Sequence, residues 1–431
     1  MARSWVRLFL AAALGVLLLL SISPGRGDLT ALCSGCREEV LQPQVLRETA
    51  PEVAEEELQA LVDGNTAFAL ELYQRLREQE GNLFLSPYSI SLALAMAYAG
   101  ARGETATEMA QALHFTLPQE RLHPAFNALD LAITSRTTVE GIELHTANTF
   151  WGQLGHRFLQ EYIDLLARDY GAEIRLLSFR DTPDACRQHI NGWVSEKTEG
   201  KIEELLPPGS VGPDTWLVLT DAIYFQGAWE YAFDSWRTRE GPFHLLDGSH
   251  VQVPLMHLED VYLPYAEGRI EGVRYQAVEL PYTQEELSMV ILLPALAGFR
   301  TFERALDAER LEGILRELRS WELHLVMPKF SFSSGFSLRE TLLRLGMPRA
   351  FSTAADFSGM DGTRDLWLNE VYHKAFIKVD EWGTEAAAAS GVVGSWSLPY
   401  ELRIDHPFIF LIRDLKTRAI LFLGRVLNPA V

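Results

Sequence analysis

The sequence is short of positive charge. Its 431 residues carry 38 Lys and Arg against 58 Asp and Glu, a formal charge of −20. A polyanion of that size does not suit nucleic acid or an anionic membrane surface. Cysteine is nearly absent: Cys33, Cys36 and Cys186 cannot build the disulfide framework of a small scaffold, and a chain this long needs none. Glycine is only 31 and no sustained heptad run occurs, which removes collagen-like and coiled-coil classes. Beyond the N-terminus no apolar run is long enough to span a bilayer. No Asn-x-Ser/Thr sequon occurs, so N-glycosylation is not expected.

Catalytic signatures are missing too. There are 11 histidines, yet no His-Glu-x-x-His and no other His pair four apart on a helix. No Gly-x-Ser-x-Gly elbow, Gly-x-Gly-x-x-Gly or phosphate loop is present, and the carboxylates are scattered without an acid/base couple. The expectation is a protein that is not an enzyme and holds no metal or cofactor.

At the N-terminus, Arg3 and Arg7 precede an apolar run from Leu8 to Leu20. Residues 1–27 read as a secretory signal peptide, cut after Gly27 where Gly25 and Gly27 supply the small residues; an uncleaved anchor is the alternative, although the run is short for a bilayer. The expected location is secreted or extracellular, periplasmic in a bacterium. Residues 28–56 are polar, acidic and aperiodic, and read as a flexible leader. Cys33-Ser-Gly-Cys36 has redox or metal spacing but does not open a helix after a strand, so a local disulfide or idle thiols are expected. Cys33 stands where lipid attachment at Cys36 would need an apolar residue.

From about residue 57 to 431 no linker divides the chain, and one large α+β domain is expected. Leu58, Leu61, Val62, Phe68, Leu72, Tyr73 and Leu76 recur at helical spacing. Ser89–Ala99 is apolar nearly all round, a buried helix ended by Gly100. Thr215–Phe225 is an almost continuous apolar run, suited to a central strand. Residues 276–281 and 287–293 read as paired strands, and 322–328, 330–334, 408–412 and 419–426 as further strands. Phe299–Ser320 reads as one solvated helix.

One segment is unlike the rest. From Gly383 to Ser395 every side chain is small or β-branched except Glu385. As a strand, Thr384, Ala386, Ala388, Ser390, Val392 and Gly394 would share a face able to enter a crowded core, with Glu385 turned to water. A short surface helix capped by Thr384 fits equally well. A segment acceptable in both forms is what a conformational switch requires.

Glu381-Trp-Gly383-Thr384-Glu385-Ala386-Ala387-Ala388-Ala389 resembles the reactive-centre hinge of the serpins. Five further stretches resemble serpin motifs in the same order: Asn82–Ile90; Ile190–Val194 with Thr198–Ile202; Leu217–Trp229; Asn369–Ala375; and Asp405–Phe408 with Phe422–Val426. The resemblance covers residue 57 to the end. Asp221 stands where the family usually has Asn, and Gln226 where it often has Lys. A buried Asp221 needs a partner or a proton.

The resemblance implies a single large α+β domain with about nine helices, three β-sheets and an exposed reactive-centre loop at about residues 381–402. It implies a suicide inhibitor of serine proteases, some members acting on cysteine proteases. The protease attacks the loop and forms its acyl-enzyme, and the cleaved loop then inserts into sheet A as an added strand. Gly383 and Thr384 would enter first. Ser86, Ser89, Asn191 and His373 resemble the shutter beneath the parting strands, and Trp229 the breach near Glu381. The bond cut is Trp396–Ser397 or Ser397–Leu398, depending on the end from which the loop is counted. Trp396 suits a chymotrypsin-like target; Ser397 suits elastase-like or subtilisin-like ones. No basic cluster for glycosaminoglycan is present, and a monomer is expected. The alternative is a non-inhibitory serpin acting as carrier or chaperone.

Overall fold

The computed structural model describes residues 35–136, 141–383 and 400–431. The signal segment, Cys33, the hinge positions Thr384 to Ala389 and the candidate bond residues Trp396, Ser397 and Leu398 lie outside the described residues. From Gly35 on, the chain forms one unit.

In chain order the elements are β1 (Glu38–Val40), α1 (Glu55–Leu76), β2 (Leu83–Leu85), α2 (Pro87–Gly100), α3 (Gly103–Ala112), α4 (Gln119–Arg136), β3 (Ile142–Gln153), α5 (Gln160–Tyr170), β4 (Ile174–Leu177) and α6 (Pro183–Lys197). There follow β5 (Leu217–Gly227), β6 (Arg239–His244), β7 (His250–Ile270), β8 (Val273–Pro281), β9 (Leu287–Pro294), α7 (Phe299–Ala305), α8 (Ala308–Glu317), β10 (Arg319–Pro328) and β11 (Phe330–Ser337). The last are α9 (Arg339–Leu345), α10 (Ser358–Asp361), β12 (Glu370–Val379), β13 (Tyr400–Arg403), β14 (Phe408–Asp414) and β15 (Ile420–Val426).

The strands form a six-stranded sheet, β1-β4-β3-β5-β12-β11, and a nine-stranded one, β13-β10-β7-β8-β9-β14-β15-β2 with β6 on β7. The expected second and third sheets are joined by β7. Its residues 255–265 pair with β10 and its residues 265–270 with β8, so one 21-residue strand serves both. Ten α-helices stand among the described residues against about nine expected. The single helix expected over Phe299–Ser320 is broken. Asp307 accepts from the Arg310 backbone N–H at 2.8 Å and caps a fresh helix, and Arg319 already lies in β10.

Helix α2 is buried on every side, as its composition dictates, with Ser86 capping it by accepting from the Ser89 backbone N–H. It packs into the main core with α1 and the inner face of β15. A second core lies on the six-stranded sheet, where Ile190 and Val194 of α6 and Leu205, Leu206 and Val211 of the following loop cover Val218 and Ala222 of β5 and Tyr372 of β12.

The leader expected over residues 28–56 is, from Gly35 on, a packed strap. β1 extends the sheet beside β4, pairing Glu38 with Leu177 and Val40 with Arg175. Arg47 hydrogen-bonds Asn127 at 3.0 Å and Asp130 at 2.5 Å on α4. Cys36 is disulfide-bonded to Cys186 of α6, 150 residues away, which overturns both the local disulfide and the idle thiols expected for it. Polarity and lack of period concealed the strap because its partners are far along the chain. A Cys36→Ser variant will unfold at lower temperature than the parent. The chain-entropy model sets the loss at up to about 5 kcal/mol for so long a loop, and melting with and without reductant checks it.

Candidate functional site

Strands β5 and β12 lie side by side and parallel, in register from Val218 with Glu370 to Tyr224 with Phe376. Parallel neighbours need a long crossover, and here about a third of the chain, from Gly227 to Glu370, intervenes. No short connection holds this joint; it is held by the backbone ladder and by the side chains that bridge it.

One polar row does so. Asn148 of β3 sits opposite Asp221 of β5, Asp221 opposite His373 of β12, and His373 opposite Phe336 of β11. Asp221 and His373 are fully buried. His373 Nε2 accepts from the Ser86 backbone N–H at 3.1 Å, so its proton is on Nδ1, which donates to Asp221 Oδ2 at 2.8 Å. Ser89 Oγ donates to Asp221 Oδ1 and accepts from Asn148 Nδ2, the latter at 2.8 Å. Ser86 Oγ donates to the Leu421 carbonyl at 2.7 Å. The charge that Asp221 brings into an apolar strand thus has two donors, and the capped end of α2 is fastened to both sides of the joint. A strand inserted here would move β5 and β12 apart by about 4.8 Å more, which breaks the Asp221–His373 bond.

The structure brings Ser86, Ser89 and His373 together, with Asp221 and Asn148 completing the row. Asn191 is not part of it. Its Oδ1 accepts from the backbone N–H groups of Leu205 and Leu206, at 3.1 and 2.8 Å, and its Nδ2 donates to the Leu206 carbonyl at 2.9 Å. It pins the covering loop to α6 instead. That loop reaches β12 again where Lys374 Nζ meets the Glu204 carbonyl at 2.6 Å.

At the end of β12 the chain makes a tight turn, Asp380 and Gly383 exchanging both backbone hydrogen bonds at 3.2 Å. Trp229 closes this end of the joint. Its backbone N–H donates to the Trp382 carbonyl at 3.2 Å and its indole N–H to the Asp380 carbonyl at 3.1 Å, and its ring stacks on Tyr282 at 4.6 Å. Glu381 lies beneath, with Lys329 Nζ at 2.5 Å and Thr238 Oγ1 donating at 2.7 Å. Burial pushes the Glu381 carboxyl up, but the bonds from Lys329 and Thr238 outweigh it and hold the carboxyl below its ordinary range. The stabilisation from these bonds is therefore complete above the ordinary carboxylate range and fades as pH falls below it.

Gly383 has φ +97° and bridges Ala228. A Cβ there would come within 2.3 Å of the Gly227 carbonyl oxygen and 2.5 Å of the Trp229 nitrogen. Backbone cannot give way as a side chain can, so Gly383→Ala will open this turn and lower the unfolding midpoint. The expected loss is about 1–3 kcal/mol, read by urea titration.

The chain therefore leaves Gly383 at the Trp229 end of the β5–β12 joint, and β13 lies parallel to β10 in the other sheet. Residues 63–429 match the family described as Serpin (serine protease inhibitor). Leukocyte elastase inhibitor A of Mus musculus is 39% identical over 385 residues, covering 86% of this chain and all of that protein. The crystal structure of Serpin48, a highly specific serpin of the insect Tenebrio molitor, is 32% identical with a TM-score of 0.76 and covers 88% of this chain and 99% of that one. Human thyroxine-binding globulin, solved in complex with its hormone, is 31% identical with a TM-score of 0.78, over 86% and 99% of the two chains. Motif order, the parallel joint with its hinge attached, and full-length likeness agree: this chain belongs to the serpin family.

Proposed function

We propose that the chain inhibits serine proteases as a suicide substrate. The observation that carries this reading is the joint itself. β5 and β12 are neighbours, bridged by a row that an inserted strand would part, and the segment from Gly383 begins at their open end. The hinge side chains from Thr384 to Ala389 are small apart from Glu385, so they suit burial as a new strand. The native form is then metastable and held by kinetics.

Trp396 or Ser397 before the cut bond fits a chymotrypsin-, elastase- or subtilisin-like pocket. The likeness to a leukocyte elastase inhibitor supports an elastase-like target. Secretion is proposed from the basic-apolar N-terminus and from the Cys36–Cys186 disulfide, a bond favoured in an oxidising compartment.

The test is a denaturing gel of the chain mixed with chymotrypsin, pancreatic elastase and subtilisin in turn. A covalent band near the sum of the two masses is expected, and the mass of the released C-terminal peptide distinguishes Trp396 from Ser397. Clean cleavage without a complex for all three proteases would defeat the reading in favour of a carrier-type member.

A further inference from the structure

Outside the joint, three side chains of the sheet and its cover converge. Glu143 and His145 are two apart on β3 and so project from one face; Glu199 lies in the turn just after α6. His145 Nε2 is 3.2 Å from Glu143 Oε2 and 3.9 Å from Glu199 Oε1. One ligand atom from each of the three lies within 4.8 Å of the other two. In a tetrahedral shell with bonds of about 2.0–2.2 Å, ligand atoms stand about 3.4 Å apart, a value these two distances bracket.

The charges point the same way. Among the described residues neither Glu143 nor Glu199 has an Arg or Lys partner, whereas Glu57 and Glu279 each hold an arginine. Lys201, two residues after Glu199, has its Nζ over the Tyr224 ring at 5.4 Å, and Lys197, two residues before it, over Trp193 at 6.0 Å. Two carboxylates thus meet with only an imidazole between them, a charge arrangement that a bound cation would favour. Stacking on Tyr224 at 5.7 Å orients the His145 ring. One imidazole with two carboxylates suits a zinc-type ion, whereas Mg²⁺ and Ca²⁺ prefer all-oxygen shells.

The geometry points to a site for a divalent transition ion of the zinc class, held by Glu143, His145 and Glu199 with water completing the shell. The ion would tie the turn after α6 to β3. If the inhibitory reading holds, that cover must shift when the loop inserts, so the bound ion slows trapping. Sequence alone concealed the site, because it joins a two-residue strand spacing to a loop residue more than fifty positions later.

The experiment is calorimetric titration of Zn²⁺ into the full chain stripped with EDTA, and into His145→Ala and Glu199→Gln. The expected result is one ion per chain, with affinity lowered about tenfold or more in both variants, and no comparable uptake of Mg²⁺. All three chains should melt alike in EDTA, since both positions are solvent-accessible. No saturable binding to the parent, or unchanged binding in the variants, would overturn the site. Complex formation with the protease is then timed with and without zinc. Slowing in the parent alone is expected, and an unchanged rate would overturn the tie between cover and sheet. Binding is read without protease, so a chain that failed to trap proteases would leave the zinc result standing.

Discussion

Thr384→Arg converts the chain from inhibitor to substrate. With a protease that the parent traps, the covalent band is lost and the chain is cut at Trp396–Ser397 or Ser397–Leu398 and released. Position 384 would be among the first to enter between β5 and β12, on the face turned to the core. A guanidinium forced there without a partner costs several kcal/mol. Each 1.4 kcal/mol slows insertion about tenfold, while deacylation of the protease is untouched, so hydrolysis wins. Ala388→Arg, four residues farther on the same face, behaves alike. Glu385→Arg is the control: its side chain faces water in the inserted strand, and trapping should persist. Covalent trapping by Thr384→Arg as efficient as the parent's would contradict insertion in this register.

Asp221→Ala has the second large effect, on the native state. It leaves His373 Nδ1–H buried without an acceptor and removes the partner of Ser89 Oγ. Breaking a buried pair from one side costs about 3–5 kcal/mol, read as a lower urea midpoint. Asp221→Asn should cost only about 1 kcal/mol. The amide oxygen can still accept from His373, and the amide N–H can meet Ser89. The Ala variant should also lose inhibitory activity faster on standing, because the row no longer holds β5 to β12. An Ala variant as stable as the parent would show that the row is not the fastening of the joint.

The elements that build the joint were legible in the sequence for definite reasons. Leu217–Phe225 is apolar without alternation because both its faces are buried, and α2 is apolar all round because it lies between sheet and helices. The hinge expected from the smallness of Thr384 and Ala386–Ala389 lies outside the described residues. Asp221 was recognisable as a charge in need of a partner, and the structure supplies His373, directly opposite in register. Asn191 was misplaced because a buried Asn reads the same whether it fastens a strand joint or, as here, a covering loop.

Other features were hidden by distance or irregularity. β7 carries a bulge opposite His324, with Asp260 at φ +53°, which breaks the two-residue period. The strap from Gly35 and the Cys36–Cys186 bond depend on partners that no local pattern names. The break between α7 and α8 turns on a single cap at Asp307.

The central claim is that cutting the loop lets it become a strand of the six-stranded sheet. The most direct measurement is the unfolding midpoint of the intact chain against that of the chain cleaved once between Trp396 and Leu398, with both fragments retained. An inserted strand adds a full ladder of hydrogen bonds and buried side chains, so the cleaved form should unfold at higher temperature and higher denaturant than the intact one. A cleaved form that melts at or below the intact midpoint would contradict the account.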